Sequence, residues 1–309
     1  MIFTYGAAAQ IKVDTQNENY PVISGLDSVK MTDIRNLQGT LQEKEKRMRQ
    51  YLQPFCDSND ALACYLLAIT YDKFPAGMGT KEDADIALSY YQKAAEGKLA
   101  DACYFLSQLY RYNFMNQPVN EKLCMYYLLQ AKRYGNSQIQ ARCLRDLAGI
   151  YYPQKEKNYQ SDMKGIKASL DSAKYYLAEA LKIEPHDTWT LDFAGSIYED
   201  EKNYPQAISY YLRSSNENSN LQAANWLATG RKVKKDIPQA VRIVKQVLNK
   251  LVTENGYTPQ TIYNFMGSYN PAVMLNIFYT CYKIIPRSEV GKWYSTAISC
   301  DDIEGLVNE

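Results

Sequence analysis

The sequence predicts an all-α chain, a right-handed α/α superhelical solenoid of antiparallel helix pairs, and three observations carry that expectation. A helical motif returns at intervals of 39, 41 and 47 residues. Each copy is followed by a second amphipathic segment with small residues at fixed places. The composition, 46% hydrophobic and 22% charged, suits a chain that buries apolar surface and is too apolar for wholesale disorder. A length of 309 residues ordinarily suggests about two globular domains, but stacked repeats share one continuous core and escape that rule.

Residues 1–30 read as a lead-in without helical periodicity, rich in Asn, Asp, Pro and Gly. Their apolar start, MIFTYGAAAQ, ends in Ala7-Ala8-Ala9-Gln10, in the manner of the small-residue end of a secretory signal without its basic start. Two readings stay open: part of a longer signal, or a flexible apolar terminus. Residues 31–255 are expected to be the helical array. Thr32-Asp33 offers a cap before Ile34, Leu37, Leu41 and Met48, and the run from Glu43 to Arg49 reads as the solvated face of that first helix.

The repetition begins at residue 60. Ala63-Cys64-Tyr65-x-Leu67-x-x-x-Tyr71 is echoed 39 residues later by Ala102-Cys103-Tyr104-x-Leu106-x-x-x-Tyr110. Leu147 to Tyr151 and Ala194 to Tyr198 are the third and fourth copies, and Leu227 to Arg231 keeps the frame with Arg in place of Tyr. The second segments are Ala87 to Ala95, Leu123 to Tyr127, Ala173 to Ala180, Ala207 to Tyr211 and Ala240 to Val244. Small residues let two antiparallel helices approach closely, and larger ones fill the space to the next pair. A single pair cannot bury its apolar face, so several must stack.

These motifs resemble the Sel-one-like repeat, a longer relative of the tetratricopeptide repeat. Its loop pattern stands here as Gly77-Met78-Gly79-Thr80-Lys81-Glu82-Asp83 and on to Ala87, with Asp83 placed to cap the second helix. The second copy has lost the loop glycines, with Leu123 standing for the alanine. Around residues 170 to 250 the spacing is closer to plain tetratricopeptide repeats, and Lys182-Ile183-Glu184-Pro185 ends a helix as those repeats do. Residues 153 to 167 read as a polar insertion inside the third pair. Residues 256–309, with Thr258-Pro259, Asn270-Pro271, Ser288 and Trp293, read as an atypical helical cap.

Several chemistries find no support in the residues. With 35 basic against 34 acidic side chains the net charge is +1, so no overall field draws nucleic acid or an anionic membrane. No stretch approaches the roughly 20 apolar residues of a spanning helix. The single histidine, His186, sits in a turn with neither a second histidine nor a nearby cysteine, which argues against a metal site or a catalytic triad. No phosphate-cradling loop, dinucleotide fingerprint or nucleophile elbow is present. Carboxylate pairs such as Asp200-Glu201 fall at helix ends, where solvation explains them. The expectation is therefore no enzyme, no cofactor and no metal.

Of seven cysteines, Cys64, Cys103 and Cys143 fall near one place on successive first helices, where a small buried thiol suffices. Cys56 and Cys64 bracket the junction of two antiparallel helices, within reach of a disulfide across a short turn. The same spacing occurs in a secreted, cysteine-rich branch of the repeat family, although Ala95 stands where Cys103 would need its partner. A Cys56–Cys64 disulfide and two free thiols both remain open. A disulfide, like the signal-like start, would point to a periplasmic or secreted protein rather than a cytoplasmic one.

The resemblance also implies where a partner would bind. In tetratricopeptide arrays the first helices line a concave groove, at positions two and six before and one and two after the signature tyrosine. Carried over, these are Tyr65, Asp72 and Lys73, then Tyr104, Gln108, Arg111 and Tyr112. Arg145 and Tyr152 follow, then Asp192, Ser196, Glu199 and Asp200, and finally Asn225 and Lys232. Tyrosine and arginine often dominate interface energies. Arg111 and Arg145 give a basic middle, and Asp192, Glu199 and Asp200 an acidic stretch, so an extended peptide of opposite charge order is the expected guest. The leading expectation is a non-enzymatic scaffold or adaptor for a protein or peptide. The alternative is a module for cell-wall glycan or other carbohydrate, with Trp189, Trp226 or Trp293 as platforms. Ordinary solvated helix faces are the bland reading of the same positions.

Overall fold

The computed structural model describes residues 40–72, 81–112, 115, 117–152, 167–236, 238–240, 242–243, 246–247 and 250. The lead-in of residues 1–30, the Thr32-Asp33 cap, the loop glycines Gly77 and Gly79, Lys73, the bulk of the insertion and the cap of residues 256–309 lie outside them. The chain divides into two compact units, Met1–Pro185 and His186–Glu309. The described residues form helices and no strand.

Unit 1 contains α1 (Leu41–Asp57), α2 (Ala61–Tyr71), α3 (Lys81–Glu96), α4 (Ala100–Tyr112), α5 (Glu121–Tyr134), α6 (Ser137–Tyr151) and α7 (Leu170–Ile183). Each packs against the next, and α4 also meets α6. Unit 2 contains α8 (Thr188–Asp200), α9 (Tyr204–Tyr211) and α10 (Glu217–Thr229), again packed in succession. No helix among the described residues is long and apolar enough to cross a membrane.

Local chemistry sets most of these boundaries. Thr40 and Glu43 form a reciprocal capping box at α1. Asp60, Asn120, Asn136, Ser169, Asp187, Asn203 and Asn216 each accept a backbone N–H of the first turn they precede. Such a cap contributes about 1 kcal/mol. Helix α3 runs from Lys81, so Asp83 lies in its first turn, where the N-terminal dipole favours a carboxylate. Arg49 is not part of a fully solvated face: its guanidinium lies 3.7 Å from the centre of the Tyr71 ring and donates to Thr70 Oγ1 at 3.0 Å.

Four stacked tyrosine pairs mark the repeats. Tyr71 stacks on Tyr90, Tyr110 on Tyr127, Tyr151 on Tyr176 and Tyr198 on Tyr210, with ring centroids 5.9, 5.9, 5.5 and 5.4 Å apart. Each joins the signature tyrosine of a first helix to a tyrosine of the second, and such a pair contributes about 1 kcal/mol beyond its buried area. In every case the second tyrosine lies three residues after a buried small side chain: Ala87, Cys124, Ala173 or Ala207. The counterpart of Ala87 in the second pair is therefore Cys124, not Leu123. One residue further along, Tyr91, Leu128, Leu177 and Tyr211 are all buried.

Candidate protein-interaction surface

The face shared by α4 and α6 in unit 1 gathers several of the sequence-selected residues around one carboxylate. The Tyr104 hydroxyl donates to Asp146 Oδ2 at 2.7 Å, and Gln108 Nε2 donates to the same oxygen at 2.9 Å. Arg111 faces the other oxygen, 3.7 Å away. Burial, reinforced by the Asp146 charge, pushes the Tyr104 hydroxyl far above its ordinary range, so it remains a donor. The Arg142 guanidinium lies 5.3 Å from the centre of the Tyr104 ring and is exposed. Arg145 and Tyr152 are half-buried, and Tyr112 is 43% exposed under the Arg111 guanidinium.

Arg111, an expected open contact of the groove, is instead buried. Arg111 is only 5% exposed, and its Nε has no hydrogen-bond partner within the protein. It cannot be an open cationic contact, because its charge is taken up inside the helix packing by Asp146. Asp146 carries no signal of this role in the sequence pattern. It lies five residues before Tyr151, a position the tetratricopeptide pattern does not select, and only the approach of α4 to α6 gives it a role.

The first clear repeat offers less. Tyr65 is half-buried and meets Tyr91 edge-to-face at 5.6 Å, and Asp72 accepts the Tyr91 hydroxyl at 3.1 Å. Both help to seat Tyr91. In unit 2, Asp192 is engaged by Asn216 Nδ2, with Oδ1 buried and unpartnered within the protein. The exposed Ser196 hydroxyl donates to the backbone carbonyl of Asp192. Glu199 accepts the Tyr211 hydroxyl at 3.0 Å and Lys232 Nζ at 3.2 Å. Asp200 is exposed at the end of α8, and Asn225 is half-buried.

Arg231 does not continue the fifth first helix. Gly230, at φ 66, ends α10 after Thr229 in the left-handed region that favours glycine, and the chain turns back, Asp236 N–H donating to the Leu227 carbonyl at 2.8 Å. Lys232 is thereby brought onto α8 and α9 instead of standing on a helix. Trp226 is 4% exposed, which removes it as an open sugar platform. Trp189 is 62% exposed, and Trp293 lies outside the described residues.

The cysteines divide by neighbour. Cys56 and Cys64 are joined, Sγ to Sγ, at 2.06 Å with Cα atoms 4.7 Å apart. Cys103, Cys124 and Cys143 are buried thiols, and burial pushes Cys103 up to about 12 and Cys124 up to about 11. His186 is exposed, and the described residues contain no group of three or more side chains able to hold a metal ion.

The turn carrying the disulfide recurs one repeat later. Asn59 and Lys98 have φ 65 and 62, and their N–H groups donate to the carbonyls of Cys56 and Ala95, each at 2.9 Å. Ala95 thus occupies the Cys56 position, with Cys103 Sγ 3.9 Å from its carbonyl oxygen. Ala95→Cys is expected to form a second bridge, adding about 2 kcal/mol of stability. Alkylation under denaturing, non-reducing conditions and peptide mass mapping checks this: Cys56 and Cys64 should resist labelling in both proteins, and Cys103 only in the variant.

No family model matches the chain, and no curated protein does. Among solved structures it is similar to a Sel1 repeat protein from Oxalobacter formigenes, at 14% identity and TM-score 0.47, over 82% of this chain and 62% of that one. A protective antigen present in uropathogenic Escherichia coli strains, displaying an SLR fold, aligns at 16% identity and TM-score 0.48, over 85% of this chain and 53% of that one. A Sel1 repeat protein from Klebsiella pneumoniae subsp. pneumoniae aligns at 18% identity and TM-score 0.35, over 67% of this chain and 92% of that one. The chain thus spans less than two thirds of the length of the first two. All three carry the repeat that the loop and helix motifs resemble.

Proposed function

We propose that the chain is a non-enzymatic scaffold that binds a protein or peptide through the α4–α6 face of unit 1, outside the cytoplasm. The observation that carries this reading is the ordered mixture on that face. Arg142 lies over Tyr104, Tyr112 is 43% exposed, and Arg145 stands beside an Asp146 carboxylate already held by two hydrogen-bond donors and the Arg111 charge. Aromatic and guanidinium groups held in place lose little conformational entropy on binding, and such residues dominate many interfaces. With the Arg111 charge offset by Asp146, the exposed Arg142 carries positive charge on this face and favours an acidic segment. The oxidising compartment is supported by the Cys56–Cys64 bridge.

A pull-down from native extract tests the surface. Reversing both arginine charges, Arg142→Glu with Arg145→Glu, is expected to cut recovery of the partner by about tenfold or more. Arg111 is unsuitable for the test because changing it would disturb the packing. Unchanged recovery by a folded double variant would remove this face from consideration.

A further inference from the structure

In unit 2, three groups from three helices enclose one ammonium. Lys232 Nζ lies 3.2 Å from Glu199 Oε1, 4.7 Å from the centre of the Tyr204 ring and 4.5 Å from that of Trp226. The two rings meet edge-to-face, 5.3 Å apart with their planes at 67°, so they form two walls of a corner whose third side is the carboxylate. Such a corner attracts an organic cation through the ring quadrupoles as well as the charge.

The corner is built independently of Lys232. Tyr211, 5% exposed, donates to Glu199 Oε2 at 3.0 Å and so leaves Oε1 turned to the cation. Burial pushes the Tyr211 hydroxyl well above its ordinary range, which keeps that donor in place. The Tyr211 ring also meets Trp226, with centroids 5.9 Å apart, and lies so close to Gly195 that a Cβ there would run into it. Trp226 is fixed within α10 and Tyr204 at the start of α9. Lys232, by contrast, arrives on a bend after Gly230, outside any helix, and its side chain remains 34% exposed.

We propose that Glu199, Tyr204 and Trp226 form a recognition pocket for organic ammonium groups, closed in cis by Lys232, and that a lysine side chain of a protein partner displaces Lys232 to enter it. Helices hold the receptor groups, whereas a short irregular segment holds the occupant, so the occupant can leave without the receptor unfolding. The exchange replaces one ammonium by another of the same charge, which keeps its free-energy cost small. Unit 2 carries this proposal alone, and it stands or falls separately from the α4–α6 face of unit 1.

Tetramethylammonium is the probe, with tert-butanol as its uncharged counterpart. In full-length Lys232→Ala protein, the indole N–H resonance missing from Trp226→Phe protein should shift saturably with tetramethylammonium, with an apparent affinity at least about fivefold above wild type. Tert-butanol should not produce the shift, and adding Glu199→Gln to Lys232→Ala should abolish it. Equal shifts in wild type and Lys232→Ala, or a shift that survives Glu199→Gln, overturns the proposal. Wild-type protein supplies a reading that requires no variant to fold. Lys232 should be acetylated more slowly than the exposed Lys182, and tetramethylammonium should accelerate it at least about threefold, by competing for the pocket. Acetylation of Lys232 that ignores the probe counts against an exchangeable occupant.

Discussion

Asp146→Ala is expected to lower the stability of unit 1 by about 3 to 5 kcal/mol, read as a shift of its unfolding transition in urea. Asp146 offsets the charge of an arginine that is 5% exposed, and it also accepts the Tyr104 and Gln108 donors. Removing it leaves a buried cation without its counter-charge and two half-buried donors without their acceptor. That loss far exceeds the net value of the ion pair itself, whose Coulomb gain is largely offset by desolvation. The double replacement Arg111→Met with Asp146→Leu should therefore recover most of the loss, since an apolar pair leaves nothing uncompensated. A single variant within about 0.5 kcal/mol of wild type would show that water reaches Arg111 readily.

Tyr91→Ala should cost a similar amount, about 4 kcal/mol by the same measurement. Tyr91 is 2% exposed, stacks on Phe105 with centroids 3.9 Å apart, meets Tyr65 edge-on and ties its hydroxyl to Asp72. It thus holds α3 to both α2 and α4. Tyr91→Phe keeps the ring and should lose only about 1 kcal/mol. Tyr126, 55% exposed in a similar tyrosine doublet, provides the contrast, and Tyr126→Ala should stay within about 0.5 kcal/mol of wild type. Comparable losses at Tyr91 and Tyr126 would contradict the packing described for these helices.

That contrast shows how far the sequence could be read. The doublets Tyr90-Tyr91, Tyr126-Tyr127, Tyr175-Tyr176 and Tyr210-Tyr211 look alike, yet Tyr126 and Tyr175 are exposed while Tyr91 and Tyr211 are buried. The difference is one residue of register. It is legible only once Cys124 is matched to Ala87, Ala173 and Ala207, because the small residue sets which tyrosine faces the first helix. Cysteine is small and apolar enough for that place, and matching Leu123 to Ala87 instead displaces the second pair by one position.

The candidate surface was less legible. The tetratricopeptide pattern places Tyr104, Gln108 and Arg111 on one face, since positions on one helix follow from its 3.6-residue period, and all three meet Asp146. It also placed Arg111 in the open, because a pattern of positions carries no information about an acidic residue on another helix. Likewise, the same pattern places Lys232 on a continuing helix. Gly230 stops that helix, and the returning segment delivers the lysine to Glu199.

The sequence by itself determined the succession of helix pairs and most of the positions facing the partner helix, because short-range spacing acts within a few residues. Only the tertiary structure decided which charges are taken up internally. The pairings of Arg111 with Asp146 and of Lys232 with Glu199 span 35 and 33 residues. Such contacts depend on how separate helices and turns meet, a geometry that local periodicity does not fix.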